Sequence, residues 1–178
     1  MKELKIFDRK DYDPALTRFI RNSVRAIIFK NCKIGLLYSE KYQFYSFPGG
    51  GIEENESHVE ALYRELKEET GLTIKSDSII EFGLIIEIRK DIKVEGIYEK
   101  RDYFYICDVE DTFSEIKLTK GEEEAGYKLE YVTYEEAINK NELDLYIKRI
   151  HTEAETYVMK LLKESRYEYN RKNTKNST

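Results

Sequence analysis

The chain has 178 residues, of which 40% are hydrophobic and 37% are charged, and its formal net charge is −5. This length and composition predict one globular domain with a single hydrophobic core. The acidic balance argues against binding nucleic acid through a basic face, because phosphate contacts require an excess of lysine and arginine. A function that handles phosphates would therefore need a cation as mediator.

Neither the cysteines nor the hydrophobic segments indicate a secreted or membrane-bound protein. Cys32 and Cys107 have no CxxC partner and no nearby histidine, so we expect both to be structural or incidental. The N-terminal segment has no apolar signal-peptide core, and no apolar run is long enough to span a bilayer. We therefore expect a cytoplasmic protein that does not contact membranes.

The first part of the chain predicts β-structure. Residues 1–22 are expected to form an N-terminal arm or a short strand that leads into a domain at residues 23–165. Asn31 tolerates the left-handed conformation of a tight turn, which predicts a hairpin between the first two strands of this domain. The predicted strands are residues 24–29, 34–38 and 44–47.

Helical signals follow the glycine-rich loop at residues 48–51. Ser57 and Glu60 have the spacing of a capping box, and Gly71 stands where a left-handed C-terminal cap is expected. The sequence therefore predicts a helix over residues 58–70. An apolar stripe at helical spacing should dock this helix on a sheet. The stripe consists of Val59, Leu62, Tyr63 and Leu66.

The second part of the chain predicts further strands and then helices. Two long strands are expected at residues 74–88 and 97–109. An acidic loop at residues 118–128 precedes a short strand at residues 129–132. Helices are expected from Thr133 and over residues 145–165, and the tail at residues 166–178 is expected to be flexible. Because the hairpins imply antiparallel pairs, this order favours an α/β/α sandwich around a mixed sheet, with a long C-terminal helix.

The predicted helix over residues 58–70 carries an unusual cluster of like charges. Glu65, Glu68 and Glu69 lie within five positions, on one arc of the helix, where they repel one another. Arg64 and Lys67 are expected to relieve this repulsion only in part, because they should point to other faces. A hard cation such as Mg²⁺ takes oxygen ligands and would remove the repulsion. The preceding glycines let main-chain groups approach an ion or a phosphate closely.

The same segment resembles the signature of the Nudix hydrolase superfamily over residues 50–72. The pattern is a glycine, five residues, a glutamate, seven residues, and then Arg-Glu-apolar-x-Glu-Glu-x-Gly-apolar, with no departure. The matching positions are Gly50, Glu56, Arg64, Glu65, Leu66, Glu68, Glu69, Gly71 and Leu72. The strands before this segment and the strand and helix that follow at residues 129–137 are also similar to members of the family.

The resemblance implies an α/β/α sandwich that hydrolyses a nucleoside diphosphate linked to another moiety, with Mg²⁺ or Mn²⁺ as cofactor. Glu68 and Glu69 match the principal metal ligands, and Glu65 matches a glutamate that binds metal or acts near the base. The carbonyl of Gly49 matches a further ligand. Arg64 and Glu56 match a pair that orients the carboxylates.

The general base is left open by the sequence. It is Glu65 or one glutamate of the acidic loop, Glu122, Glu123 or Glu124, with Glu123 taken as the representative candidate; an acidic loop with no role is the alternative. Arg25, Gly50 and Gly51 are candidate substrate-binding residues.

The expected partner is a small-molecule nucleotide, with a nucleoside triphosphate or a nucleotide sugar favoured, and no DNA-binding domain is predicted. A homodimer is left open. The alternative function is a module that senses a nucleotide without cleaving it, although such a sensor is expected to have lost one of the carboxylates.

Overall fold

The computed structural model describes residues 1–145 and 150–165, and the chain divides into two compact units. Unit 1 comprises Met1–Ile27 and Pro48–Ile116, and unit 2 comprises Ile28–Phe47 together with the described residues from Lys117 onward. The strands are β1 (Glu3–Asp8), β2 (Arg18–Lys30), β3 (Lys33–Ser39), β4 (Phe44–Ser46), β5 (Leu72–Ile74), β6 (Ile80–Lys90), β7 (Ile97–Ile106), β8 (Val109–Phe113) and β9 (Tyr127–Val132). The helices are α1 (His58–Thr70), α2 (Lys120–Ala125), α3 (Tyr134–Leu145) and α4 (Ile150–Ser165).

Unit 1 is built on a mixed sheet in the order β1-β6-β7-β2. β6 and β7 form an antiparallel hairpin, whereas β1 pairs parallel with β6 and β2 pairs parallel with β7. Val24, Ala26, Ile85 and Phe104 are fully buried and form part of its core. β5 and β8 form a separate antiparallel pair in the same unit. The predicted α/β fold with a mixed sheet is therefore confirmed.

Helix α1 begins and ends where the sequence predicts. Ser57 and Glu60 form a complete capping box, and Gly71 adopts a left-handed conformation with φ 72°. The predicted apolar stripe is only partly correct, because Val59 is 45% exposed. The buried face begins at Ala61 and Leu62 and extends to Glu69 and Thr70, so that Val59, in the first turn, lies outside it.

Unit 2 contains the predicted hairpin and both C-terminal helices. The end of β2 pairs antiparallel with β3, and the turn residues Asn31 and Cys32 have positive φ angles of 51° and 61°. β3 also pairs with β4 and with β9. α4 buries Ala154, Val158 and Leu162, which lie at helical spacing.

Several predicted boundaries differ from those of the structure. Residues 1–22, predicted as an arm or a short strand, contain the short strand β1 and also the start of β2, and both strands are paired in the unit 1 sheet. The predicted strand at residues 74–88 is divided into β5 and β6, and the acidic loop at residues 118–128 contains α2 and the start of β9. Leu145 ends α3 rather than beginning the last helix, and the predicted tail at residues 166–178 lies outside the described residues.

Candidate active site

The glycine-rich loop is held against β2 by main-chain hydrogen bonds within unit 1. The amides of Ala26 and Val24 donate to the carbonyls of Pro48 and Gly50 at 2.8 and 3.0 Å. Gly49 lies between these two contacts with φ +136°, and a Cβ there would stand 2.1 Å from the carbonyl oxygen of Val24. The backbone therefore requires glycine at position 49, because both the φ angle and the close approach exclude a side chain.

The loop meets helix α1 through two of the predicted ligand carboxylates. The amide of Gly49 donates to Glu69 Oε2 at 2.6 Å, and Glu69 is only 6% exposed. A Cβ at Gly50 would lie 2.5 Å from the carboxylate of Glu65. Glu65 can therefore lie over the loop only because Gly50 has no side chain.

Arg64 connects the glutamates of the signature to one another. Its Nε and Nη2 donate to the two carboxylate oxygens of Glu56, each at 2.8 Å, and its Nη1 donates to Glu65 Oε1 at 2.7 Å. Nη1 also reaches Glu68 Oε2 at 3.5 Å, and Nη2 donates to the carbonyl of Gly51 at 2.9 Å. The expectation that Arg64 points to another face is therefore wrong: its long side chain reaches back across the carboxylate arc.

The same contacts explain the electrostatics of the carboxylates. Hydrogen bonds from Arg64 lower the pKa of Glu56 below its ordinary value, because they stabilise the ionised form. Burial raises the pKa of Glu65, and the contact with Arg64 offsets this only in part. Glu56 and Glu65 both contact Arg64, yet they differ in proton affinity, because the pKa of Glu56 is lowered and that of Glu65 is raised.

The carboxylate oxygens of Glu65, Glu68 and Glu69 are suitable ligands for a hard divalent cation, although in this structure they contact other protein groups. Within residues 1–145 and 150–165, no three His, Cys, Asp or Glu side chains are grouped closely enough to hold a metal ion. Glu65 and Glu68 contact Arg64, and Glu69 contacts Gly49. The oxygen-only donor set, and the loop that approaches it without side chains, fit Mg²⁺ or Mn²⁺ in kind.

Arg25, a predicted substrate-binding residue, makes contacts inside unit 1. Its Nη1 donates to the Gly49 carbonyl at 2.5 Å, and its Nε donates to Asp102 Oδ1 at 3.2 Å. Lys100 Nζ lies 2.6 Å from Asp102 Oδ2 and 3.7 Å from Glu87 Oε1. Burial would raise the pKa of Asp102, but Lys100 and Arg25 outweigh burial and hold it below its ordinary value.

Asp102, Glu87 and Lys100 are not among the site residues predicted from the sequence. Lys100 is only 8% exposed, and Asp102 is 1% exposed. A signal for this pair was present in the sequence, because Lys100 and Asp102 carry opposite charges and stand two positions apart on a strand with large apolar residues. Residues two positions apart on a strand point to the same face. Burial also raises the pKa of Glu87, whose Oε1 has no hydrogen-bond partner within the described part of the chain.

The candidate base Glu123 lies in unit 2, on the short helix α2. Glu123 and Glu124 are exposed, whereas Glu122 Oε2 accepts a hydrogen bond from the Thr119 amide at 2.7 Å. Glu122 is thereby used to cap α2. Among the three, Glu123 and Glu124 remain as candidates without this capping role.

Comparisons with known proteins agree with the signature and the fold. The NUDIX domain family matches residues 20–153, which is more than half of the chain. An RNA pyrophosphohydrolase of Histophilus somni is 41% identical over 56 residues, or 30% of this chain and 29% of that protein. A Pasteurella multocida protein with the same description is 43% identical over 56 residues, covering 30% and 28% of the two chains. The match thus spans less than a third of these relatives.

Solved structures show the same fold at low sequence identity. The MutT protein of Bacillus halodurans superimposes with a TM-score of 0.50 at 22% identity, covering 73% of this chain and 81% of that one. A NUDIX hydrolase of Nitrosomonas europaea gives a TM-score of 0.51 at 22% identity, covering 68% and 78%. Within the described residues, no helix is long and apolar enough to cross a membrane. From its signature, its fold and its match over residues 20–153, this chain belongs to the Nudix hydrolase family.

Proposed function

We propose that this chain is a divalent-cation-dependent pyrophosphohydrolase that cleaves a diphosphate linkage in a nucleotide derivative. One observation carries the proposal: the Gly49–Gly51 loop meets Glu65 and Glu69 on α1, while Arg64 joins Glu56, Glu65 and Glu68. Such an arrangement offers oxygen ligands beside a loop that a phosphate can approach. A solvated acidic face would need neither the glycines nor the buried Glu69.

The predicted ligands divide between the loop and the helix. The Gly49 carbonyl, Glu65, Glu68 and Glu69 would hold Mg²⁺ or Mn²⁺. When bound, the cation supplies charge neutralisation of the diphosphate and a lowered pKa for the attacking water. Arg64 keeps Glu56 and Glu65 in fixed orientations, and the missing side chain at Gly50 makes room for the Glu65 carboxylate. Gly50 and Gly51 remain candidate substrate contacts through their main chain.

Two groups remain candidates for the base that takes a proton from water. Glu65 is one of them: it lies over the glycine-rich loop, and its Oε1 accepts a hydrogen bond from Arg64 that fixes the carboxylate there. Glu123, an exposed residue of α2 in unit 2, is the alternative. A glutamine at the true base should abolish turnover without abolishing nucleotide binding.

Among substrates, a free nucleoside triphosphate and a nucleotide sugar are the two leading candidates. The name of the Histophilus somni relative, RNA pyrophosphohydrolase, adds phosphorylated RNA to the compounds worth testing. A net charge of −5 disfavours extended contact with an RNA backbone, since such contact relies on lysine and arginine. We therefore infer a small nucleotide that is recognised mainly through its phosphates, and the cytoplasm remains the predicted location.

The test is hydrolysis of a substrate panel by matched variants. The full chain is incubated with nucleoside triphosphates, nucleotide sugars, ADP-ribose and 5′-triphosphorylated RNA, with Mg²⁺ or Mn²⁺, and the products are identified. Glu69→Gln should lose turnover by about a hundredfold or more, because one buried ligand charge is gone. Glu54→Gln alters an exposed glutamate of the same segment and should leave turnover unchanged. Equal rates in both variants, or no product from any compound, would contradict the proposal.

A further inference from the structure

A line of four charged side chains runs across the unit 1 sheet and ends at the glycine-rich loop. Its members are Glu87 on β6, Lys100 and Asp102 on β7, and Arg25 on β2. Glu87, Lys100 and Asp102 are each less than 10% exposed, which is unusual for charged residues. Such charges are buried only where partners compensate them, so the line is a specific arrangement of the native state.

The geometry of the loop explains why the line ends at Gly49. The carbonyls of Pro48 and Gly50 accept hydrogen bonds from the β2 main chain, whereas the intervening Gly49 carbonyl has the side chain of Arg25 as its donor. Arg25 also donates through Nε to Asp102, so one planar guanidinium spans from the strand carboxylate to the loop carbonyl. A planar fork transmits orientation, because its two donors cannot turn independently.

A second pair on the same two strands shows what the first pair adds. Glu99 on β7 is 3% exposed and accepts from Arg18 Nη1 on β2 at 2.6 Å. This pair joins the same strands through the same chemistry. Its carboxylate contacts are with Arg18 and Arg101, and it is not part of the line that ends at the loop. The Arg18–Glu99 pair already links β2 to β7. The contact of Asp102 with Arg25 therefore does more than join the two strands, because Arg25 also reaches the loop.

We propose that Asp102 is a positioning residue for the candidate active site, acting through Arg25 on the carbonyl of Gly49. Asp102 fixes the Nε edge of Arg25, and Lys100 holds the second oxygen of Asp102, so that the carboxylate cannot rotate. Arg25 then fixes the direction of the Gly49 carbonyl. The metal-related consequence rests on the proposed function, in which this carbonyl is a cation ligand; the ordering of the loop does not.

The test compares Asp102→Asn with Glu99→Gln, two neutral substitutions of buried, arginine-paired carboxylates on one strand. The first readout is the amide resonance of Gly50 in the cation-free protein, because the Gly50 nitrogen is bonded to the Gly49 carbonyl carbon. The second is Mn²⁺ affinity, measured from the free-ion signal in electron paramagnetic resonance. Arg25→Lys is a third variant, which keeps the charge beside Asp102 but cannot span both partners.

We expect Asp102→Asn and Arg25→Lys to shift the Gly50 resonance and to weaken Mn²⁺ binding by about tenfold. Glu99→Gln should change neither the Gly50 resonance nor the Mn²⁺ affinity, and its expected effect is only a general loss of stability. An unmoved Gly50 resonance in Asp102→Asn, or an equal shift in Glu99→Gln, would overturn the positioning role. If Asp102→Asn does not fold, an unmoved resonance in Arg25→Lys would overturn it, because Asp102 reaches Gly49 only through Arg25.

The two readouts separate this inference from the proposed function. A shifted Gly50 resonance in a protein that binds no Mn²⁺ and hydrolyses nothing would support the positioning role while removing the hydrolase proposal. Turnover of a nucleotide by the unaltered chain, with unchanged Gly50 resonances in the variants, would remove the positioning role and leave the function intact.

Discussion

Replacing Arg64 by alanine should destabilise unit 1, because its half-buried guanidinium holds several acceptors of the candidate site together. The guanidinium makes two hydrogen bonds to Glu56, one to Glu65 and one to the Gly51 carbonyl, all between 2.7 and 2.9 Å. Its removal leaves these acceptors without their donor and leaves Glu56, Glu65 and Glu68 to repel one another. The loss therefore combines broken hydrogen bonds with uncompensated charge.

The magnitude follows from the exposure of the partners. Breaking a fully buried ion pair costs about 3–5 kcal/mol, whereas an exposed pair contributes about 0.2–1 kcal/mol. Arg64 is 25% exposed, and its partners Glu56 and Glu65 are 13% and 14% exposed, so the cluster lies nearer the buried case. Solvent screening reduces the buried value, and we expect a loss of about 2–3 kcal/mol for Arg64→Ala. Arg64→Lys should lose about half as much, because a single ammonium cannot replace the fork.

The assay is thermal and urea unfolding of the full chain without added cation. A loss of about 2–3 kcal/mol corresponds to a fall in Tm of about 4–12 °C for a protein of this size. Lys67→Ala is the control on the same helix, since Lys67 is exposed and its removal should change stability by less than about 0.5 kcal/mol. An Arg64→Ala protein that melts within about 1 °C of Lys67→Ala would refute the reasoning.

Three further outcomes are expected. Gly49→Ala should lose at least about 2 kcal/mol in urea unfolding, because φ +136° and the Val24 carbonyl exclude a Cβ; Gly121→Ala, which has open space, should cost nothing. Burial beside Tyr105 lowers the pKa of His58, so the unfolded chain binds its proton more readily. That contribution to stability is present above the ordinary pKa of 6.5 and is lost as the pH falls towards the pKa in the folded protein. Between about pH 7.5 and 5.5, a His58→Gln protein should therefore lose less free energy of unfolding than the unaltered protein. An equal loss in both proteins would contradict a lowered pKa of His58 in the folded state. Chelation of divalent cations should abolish hydrolysis, with recovery on adding Mg²⁺, and turnover that persists in excess chelator would exclude a required cation.

The parts of the site that lie close together in the chain could be predicted from the sequence. Ser57, Glu60 and Gly71 define α1 through contacts of three or four residues, and these contacts depend little on the rest of the fold. The same rule could have found α2, where Thr119 and Glu122 also form a capping box. The three consecutive glutamates there favour a solvated loop, whereas the capping residues on either side indicate the helix that forms.

The parts that depend on strand pairing could not be predicted. Arg25 and Asp102 are 77 positions apart and meet only because β2 pairs in parallel with β7, a register that neither strand encodes alone. Glu69 likewise appears on the wheel as part of a solvated arc, yet it is buried by its contact with Gly49. Periodicity predicts which residues share a face, whereas the partner of that face is a property of the tertiary structure.

The charge balance at the candidate site argues for more than one cation during turnover. The charged side chains that meet there are Glu56, Glu65, Glu68, Glu69, Arg25 and Arg64. If all are ionised, four negative and two positive charges leave −2, which one divalent cation would balance. A bound diphosphate adds further negative charge that this cation is then too weak to offset. The initial rate at low Mg²⁺ should therefore rise more steeply than in proportion to the cation concentration, after allowing for the Mg²⁺ complex of the substrate. An initial rate that rises strictly in proportion to the Mg²⁺ concentration would mean that turnover does not require a second ion.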